Sequence, residues 1–115
     1  MSRSKGQQQE QLAEAYLIAA GLTPVERNYF CPRGEIDLIM RDQNTLVFVE
    51  VRFRRSRGFA SAAESVDYRK QQRLVATAEH YLQKHAGRRN PPCRFDVLAC
   101  DGAADWVWIK NAIDS

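Results

Sequence analysis

The sequence predicts a single α/β domain in which a mixed β-sheet is flanked by helices. The length of 115 residues suits one compact domain, and a hydrophobic content of 44% is enough to build a core. Helical and strand patterns of apolar residues follow one another in the order αβββαββ. Such an order is typical of a sheet covered by helices, and residues 1–115 are expected to form one such domain.

The first predicted helix runs from about Gln7 to Ala20. Leu12, Tyr16 and Ala19 recur in it at helical spacing, with Ala13 and Leu17 beside them. Gly21 then stands where glycine commonly ends a helix.

The second predicted helix runs to about His85 and has a clearer apolar stripe. Ser65 or Asp67 can cap its first turn, and Gly87 with the prolines after it prevents its continuation. The stripe that should pack on the sheet consists of Leu74, Ala78, Tyr81 and Leu82.

Five segments read as strands because they are rich in β-branched and aromatic residues and are bounded by turn residues. Asp42-Gln43-Asn44 supplies turn chemistry between the second and the third. The predicted strands are Leu22–Phe30, Gly34–Arg41, Thr45–Phe53, Cys93–Cys100 and Trp106–Ile109.

The N-terminal residues and the cysteines point to a cytoplasmic protein without a membrane segment. The polar N-terminus is not followed by an apolar signal sequence, and the stretch Leu17–Leu22 is too short to span a bilayer. Cys31, Cys93 and Cys100 are few and widely spaced, which favours buried cytosolic thiols over a disulfide framework or a zinc site.

Charge is distributed unevenly along the chain. The segment Arg52–Arg94 has eleven Lys and Arg against three Asp and Glu, whereas the rest has six against eleven. An enzyme that binds a polyanion and uses carboxylate chemistry would have this division. Charges that merely decorate solvated faces are an equally open interpretation.

The hairpin of the second and third strands carries the candidate chemistry. If Gln43-Asn44 forms a two-residue turn, Asp37 lies opposite Glu50, and Glu35 lies opposite Arg52. Opposed carboxylates repel each other, so they need a counter-charge, for which a divalent metal such as Mg²⁺ is suited. An ion pair of Arg52 with Glu35 or Asp37, without catalysis, is the alternative.

Two groups of cations near these carboxylates predict nucleic-acid binding, because phosphate contacts supply most of its nonspecific affinity. Solvated loops and helix ends are the alternative interpretation. Phe53 and Phe59 lie close by; either could stack on a base, but a role in the core or as a loop anchor is expected for them. The predicted nucleic-acid-binding residues are Arg52, Arg54, Arg55, Arg57, Arg69, Lys70 and Arg73.

Two resemblances are carried by this hairpin. Asp37, followed after twelve residues by Glu50-Val51-Arg52, resembles the signature of the PD-(D/E)XK nuclease superfamily. The longer segments Gly34–Ile39, Val47–Arg54 and Arg94–Val97 resemble the YraN family of bacterial proteins, and this likeness covers nearly the whole chain. That family is similar to archaeal Holliday-junction resolvases, so the resemblance implies a restriction-endonuclease-like fold.

The resemblance also implies roles for individual residues. Asp37 and Glu50 match the metal-binding carboxylates, and Glu14 matches a helical acidic residue that assists them, with Mg²⁺ or Mn²⁺ as the metal. Arg52 stands where the nuclease signature has lysine. Arginine stays charged and can hold phosphate, but it cannot act as a base at ordinary pH.

These inferences predict a metal-dependent DNA endonuclease or exonuclease. Branched DNA as substrate, and a homodimer to cut it, are implied by the resemblance alone. A noncatalytic nucleic-acid-binding module on a degenerate nuclease fold remains open, and arginine in place of lysine favours it. A third hypothesis is a protein-interaction domain whose acidic face and whose residues Trp106 and Trp108 bind a partner.

Overall fold

A computed structural model describes residues 5–53, 67–85, 91–100 and 106–113 of the chain. Within them the elements follow the predicted order αβββαββ, and the predicted bounds are right to within two residues. The predictions for Arg54, Arg55, Arg57, Phe59, Ser65 and Gly87 lie outside the described residues. The elements are α1 (Lys5–Ala19), β1 (Thr23–Cys31), β2 (Gly34–Asp42), β3 (Thr45–Phe53), α2 (Tyr68–His85), β4 (Cys93–Cys100) and β5 (Trp106–Ile109).

The five strands form one mixed sheet in the order β1-β2-β3-β4-β5. Three neighbouring pairs are antiparallel, and β3 with β4 is parallel because α2 lies in the connection between them. The ends of β1, β3 and β4 therefore lie at the same edge as the beginnings of β2 and β5. This edge, called the C-terminal edge below, carries the candidate site.

One helix packs on each face of the sheet. On the α2 face, Phe48 and Phe95 form a core cluster with Leu74 and Tyr81 of the helix. On the α1 face, the buried strand residues pack against a smaller helical surface, so both faces of the central strands are apolar. That second cluster consists of Ala13, Leu17, Leu22, Leu38, Met40, Val47, Val49 and Leu98.

The end of α1 confirms the predicted role of Gly21. This residue has a φ of 106°, its N–H donates to Ile18, and the N–H of Leu22 donates to Leu17. These two bonds make the helix ending in which a left-handed glycine satisfies the last carbonyls. Leu17 and Leu22 also pack together in the α1-face cluster, which fixes where β1 begins.

The buried face of α1 is formed by Ala13 and Leu17, which lie beside the stripe of Leu12, Tyr16 and Ala19. Leu12 is 60% exposed and Ala19 is also exposed, whereas Ala13 and Leu17 are fully buried. The buried pair at i and i+4 lies about 100° around the helix from the predicted stripe. The small side chain of Ala13 allows the helix to approach the sheet on this side.

The packing of α2 on the sheet follows the predicted stripe. Asp67 caps the helix, since its Oδ1 accepts a hydrogen bond from the N–H of Lys70 at 2.9 Å. The helix also approaches the start of β2 closely, because a Cβ atom at Gly34 would lie 3.0 Å from Oγ1 of the buried Thr77. This close contact fixes α2 beside the C-terminal edge.

Neither described helix combines the length and apolarity that a bilayer span requires.

Two of the three cysteines have the predicted environment. Cys31 and Cys100 are buried free thiols, as expected, but Cys93 is exposed. It begins β4, where the first strand residues still face solvent.

Candidate metal and nucleic-acid site

The register of the β2–β3 hairpin is the predicted one. Asp42 pairs with Thr45 around the two-residue turn, in which Gln43 has a φ of 56°, and the last pair is Leu38 with Val49. The next step of this register would set Asp37 opposite Glu50. There the Oδ2 atom of Asp37 accepts a hydrogen bond from the N–H of Val51 at 2.9 Å. Where the regular pairing of β2 and β3 stops, the Asp37 carboxylate thus accepts a backbone hydrogen bond that a main-chain carbonyl of β2 would otherwise accept.

The alternation of side chains in β2 breaks at the same place. Ile36 and Ile39 both pack on the α2 face although they are three positions apart, where regular alternation would place them on opposite faces, while Leu38 packs on the α1 face. In β1, Asn28 lies next to this break and has a φ of 55°. The predicted shared face therefore holds for Glu35 and Asp37, which lie together, and is wrong for Ile39.

The break brings three carboxylates together. Oxygen atoms of Glu10, Glu35 and Asp37 all lie within 4.8 Å of one another. Glu10 comes from α1 and shares a side-chain hydrogen bond with Asp37. Its Oε1 atom is buried without a hydrogen-bond partner among the described residues. Clustered carboxylate oxygens with an unused buried acceptor are the donor set that a divalent cation such as Mg²⁺ binds.

Burial and like charge make this cluster costly to ionise. Burial, followed by the negative charge of Glu50, raises the pKa of Asp37 to about 8, although the hydrogen bond from Val51 opposes the shift. Burial likewise raises the pKa of Glu10. A bound cation would replace the proton that the Asp37 carboxyl group otherwise holds at neutral pH.

Glu50 lies beside this cluster and is paired with two cations. Only 5% of its side chain is exposed, and its Oε2 atom lies 2.8 Å from Nζ of Lys70 and 3.2 Å from Nε of Arg52. A buried carboxylate needs such partners. Lys70 is supplied by α2 and Arg52 by β3, so the sheet and the α2 layer both contribute to the site.

The other predicted site residues lie farther out. Glu14 forms an ion pair with Arg27 at 3.6 Å, and it has no place in the three-carboxylate cluster. Arg69 and Arg73 are exposed on α2. Glu10 was not among the site residues predicted from the sequence. It lies one helical turn before Glu14 and therefore on the same side of α1, and this spacing could have indicated it as a candidate.

Comparison with known proteins assigns the chain to one family, and the matched range includes every residue of the described site. The model of the uncharacterised protein family UPF0102 matches residues 9–100. Proteins of this family from Nitrosococcus oceani and Saccharophagus degradans are 51% and 55% identical to the chain over 113 and 107 residues. These matches cover 96% and 93% of this chain and 91% and 90% of the relatives. A relative from Pseudomonas syringae pv. syringae is 49% identical over 123 residues, with both chains fully covered. The chain belongs to the UPF0102 family, which is the YraN family that its hairpin resembles.

Proposed function

We propose that this protein is a metal-dependent nuclease of the restriction-endonuclease-like fold that hydrolyses phosphodiester bonds, foremost in DNA. One observation carries the proposal. The half-buried carboxylate of Asp37 and the buried carboxylate of Glu50 lie where β2 and β3 stop pairing, and Glu10 and Glu35 add oxygen atoms to this position. A purely structural sheet gains nothing from clustering Asp37 with other acidic groups that oppose its ionisation.

The carboxylates have separate roles in this proposal. Asp37, Glu10 and Glu35 would hold a Mg²⁺ or Mn²⁺ ion, with Glu50 adjoining them. Such an ion, when bound, neutralises charge on a phosphate and makes water a better nucleophile. The hydrogen bond from Val51 holds the Asp37 carboxylate in place. Asp37 thus contributes both its charge and a fixed orientation.

Lys70 and Arg52 would act on the phosphate. Both contact the buried oxygen of Glu50, so their charged groups converge on one point from different elements. Arg52 is a permanent cation that can hold a phosphate oxygen. Lys70 is the residue type that can also transfer a proton. It would therefore supply from α2 the ammonium group that the strand signature lacks at Arg52.

Substitution of Lys70 tests this assignment. Lys70→Ala should lower the single-turnover cleavage rate about 100-fold or more, which is typical when a positioned proton-transfer group is lost. Lys70→Arg should retain binding of the substrate but not the rate, whereas Arg52→Lys should retain both. Lys84→Ala, in the exposed last turn of α2, is the matched control. A Lys70→Ala protein with the parent's rate and pH profile would contradict the role of Lys70.

The ion pairs of Glu50 favour a second candidate function. A carboxylate that is already balanced by two cations suits a noncatalytic module that binds nucleic acid through the remaining basic residues. The two candidates differ in metal dependence, because the noncatalytic module needs no divalent ion to bind phosphates.

A cleavage assay decides between them. Labelled duplex, flap and four-way-junction DNA would be incubated with the protein in Mg²⁺, in Mn²⁺ and in chelator, and binding would be measured in parallel. Metal-dependent cutting is expected, and the preferred substrate identifies the class of nuclease. Binding without cutting of any substrate would establish the noncatalytic function instead. Indifference to every DNA at low salt would exclude both.

A further inference from the structure

We propose that the site binds nucleic acid with unpaired bases, and that Phe30 and Phe53 are the surfaces on which two of those bases stack. This inference rests on the proposed function and names the substrate class of the same site. Both phenylalanines are exposed at the C-terminal edge, where Phe30 is the last residue but one of β1 and Phe53 is the last residue of β3.

Phe30 stands beside the acidic cluster. It is 73% exposed and pairs with Glu35 across β1 and β2. Its neighbours Tyr29 and Cys31 both pack in the α2-face core, so the alternation of the strand turns Phe30 toward the α1 face. Glu35 approaches Glu10 of α1, and therefore the phenyl ring flanks the carboxylates on that face.

Phe53 flanks the carboxylates from the other side. Its ring contacts Trp106 edge-on at 5.8 Å, and Trp106 packs in turn on Tyr16 of α1. Phe53 therefore also lies on the α1 face, and 37% of it remains exposed. The contact with Trp106 anchors the ring, and its exposed part is an aromatic surface toward solvent.

The positions of the two rings suit a single strand that crosses the site. β1 and β3 are separated by β2, which sets their ends roughly 10 Å apart, and the acidic cluster lies on β2 between them. Bases within a duplex are covered on both faces by their neighbours, so these rings can accept only unpaired bases.

Binding of single strands in chelator tests the proposal without cleavage. The probes are a fluorescein-labelled single-stranded oligonucleotide, the same strand in a duplex, and a single strand that contains 2-aminopurine, whose fluorescence falls on stacking. Stacking on an aromatic side chain contributes about 1–3 kcal/mol per base. We therefore expect at least about tenfold tighter binding of the single strand than of the duplex. Phe30→Ala and Phe53→Ala should each remove most of this difference and the fluorescence change, and Phe30→Trp should retain them.

Ile18→Ala is the matched control, because Ile18 is 45% exposed near the far end of α1. Equal or tighter binding of the duplex by the parent protein, no binding of either probe, or phenylalanine variants indistinguishable from the parent would each overturn the inference. The cleavage assay tests the proposed nuclease activity separately from this inference. Stacking without metal-dependent cutting would refute the nuclease and retain the unpaired-base site, whereas cutting that ignores both phenylalanines would do the reverse.

Discussion

Replacing Asp37 with asparagine should abolish metal-dependent cleavage, with a loss on the order of 1,000-fold or more. A metal ion at a phosphate stabilises the transition state by several kcal/mol, and each 1.36 kcal/mol corresponds to tenfold in rate. Asparagine retains an oxygen that can accept the hydrogen bond from Val51, so the position is kept while the charge is lost. The measurement is single-turnover cleavage of the preferred substrate in Mg²⁺ and in Mn²⁺.

The same substitution should stabilise the protein in chelator. The pKa of Asp37 is raised from 3.8 to about 8, so the folded state holds a proton that the unfolded chain releases above pH 4. The parent protein therefore loses stability relative to Asp37→Asn as the pH rises from about 4 to about 8. The difference then levels off. At pH 8 the variant should melt higher by roughly 4 °C or more, which corresponds to about 1 kcal/mol in a domain of this size.

Added metal should reverse that order. A cation that binds only the folded parent stabilises it by about 2.7 kcal/mol at 100 times its dissociation constant. Asp37→Asn should lose most of this gain, whereas Glu79→Gln, an exposed carboxylate on α2, should keep it. Equal melting temperatures of parent and Asp37→Asn in chelator, together with equal gains in Mg²⁺, would refute the metal-binding role of Asp37.

The arrangement of the hairpin could be predicted because short-range rules determine it. A two-residue turn at Gln43-Asn44 sets the register, and a slip of one residue would turn the apolar residues of β3 out of the core. Every pair from Asp42–Thr45 to Leu38–Val49 follows that prediction. The place of Asp37 opposite Glu50 was therefore within reach of the sequence.

Which acidic residue of α1 joins the site could not be predicted from the sequence, because this depends on how separate elements pack. Glu10 and Glu14 lie on one side of α1, and only the position of the helix on the sheet determines which carboxylate reaches Asp37. That position follows from the burial of Ala13 and Leu17, which periodicity alone does not distinguish from the adjacent stripe of Leu12, Tyr16 and Ala19. Likewise, the contact of Lys70 with Glu50 depends on the approach of α2 to Gly34. Periodicity within one element carries no information about such distances.

Substitution of a second aspartate, Asp96 of β4, should destabilise the protein, whereas Asp37→Asn should stabilise it in chelator. It is fully buried, and its oxygens accept hydrogen bonds from Nε1 of Trp108, the N–H of Asn111 and Nε of Arg94, at 2.9–3.2 Å. Arg94 also reaches Asp42 at 3.0 Å. These contacts join β4 and β5 to the turn after β2, and those to Asp96 satisfy both of its carboxylate oxygens.

Asp96→Ala should therefore lower the free energy of unfolding by about 3–5 kcal/mol, as is usual when one partner of a buried ion pair is removed. Asp42→Ala removes the outer, partly exposed partner of Arg94 and should cost about 1 kcal/mol or less. Urea denaturation with an unchanged dependence on denaturant measures both values. Equal costs for the two variants would contradict the central role of Asp96. Asp96→Ala destabilises because its carboxylate is saturated with donors, whereas Asp37→Asn stabilises in chelator because Asp37 faces other acids. Changes in stability of opposite sign at these two aspartates would show that the Asp96 carboxylate maintains the fold and that the Asp37 carboxylate does not, as expected of a group that binds a cation.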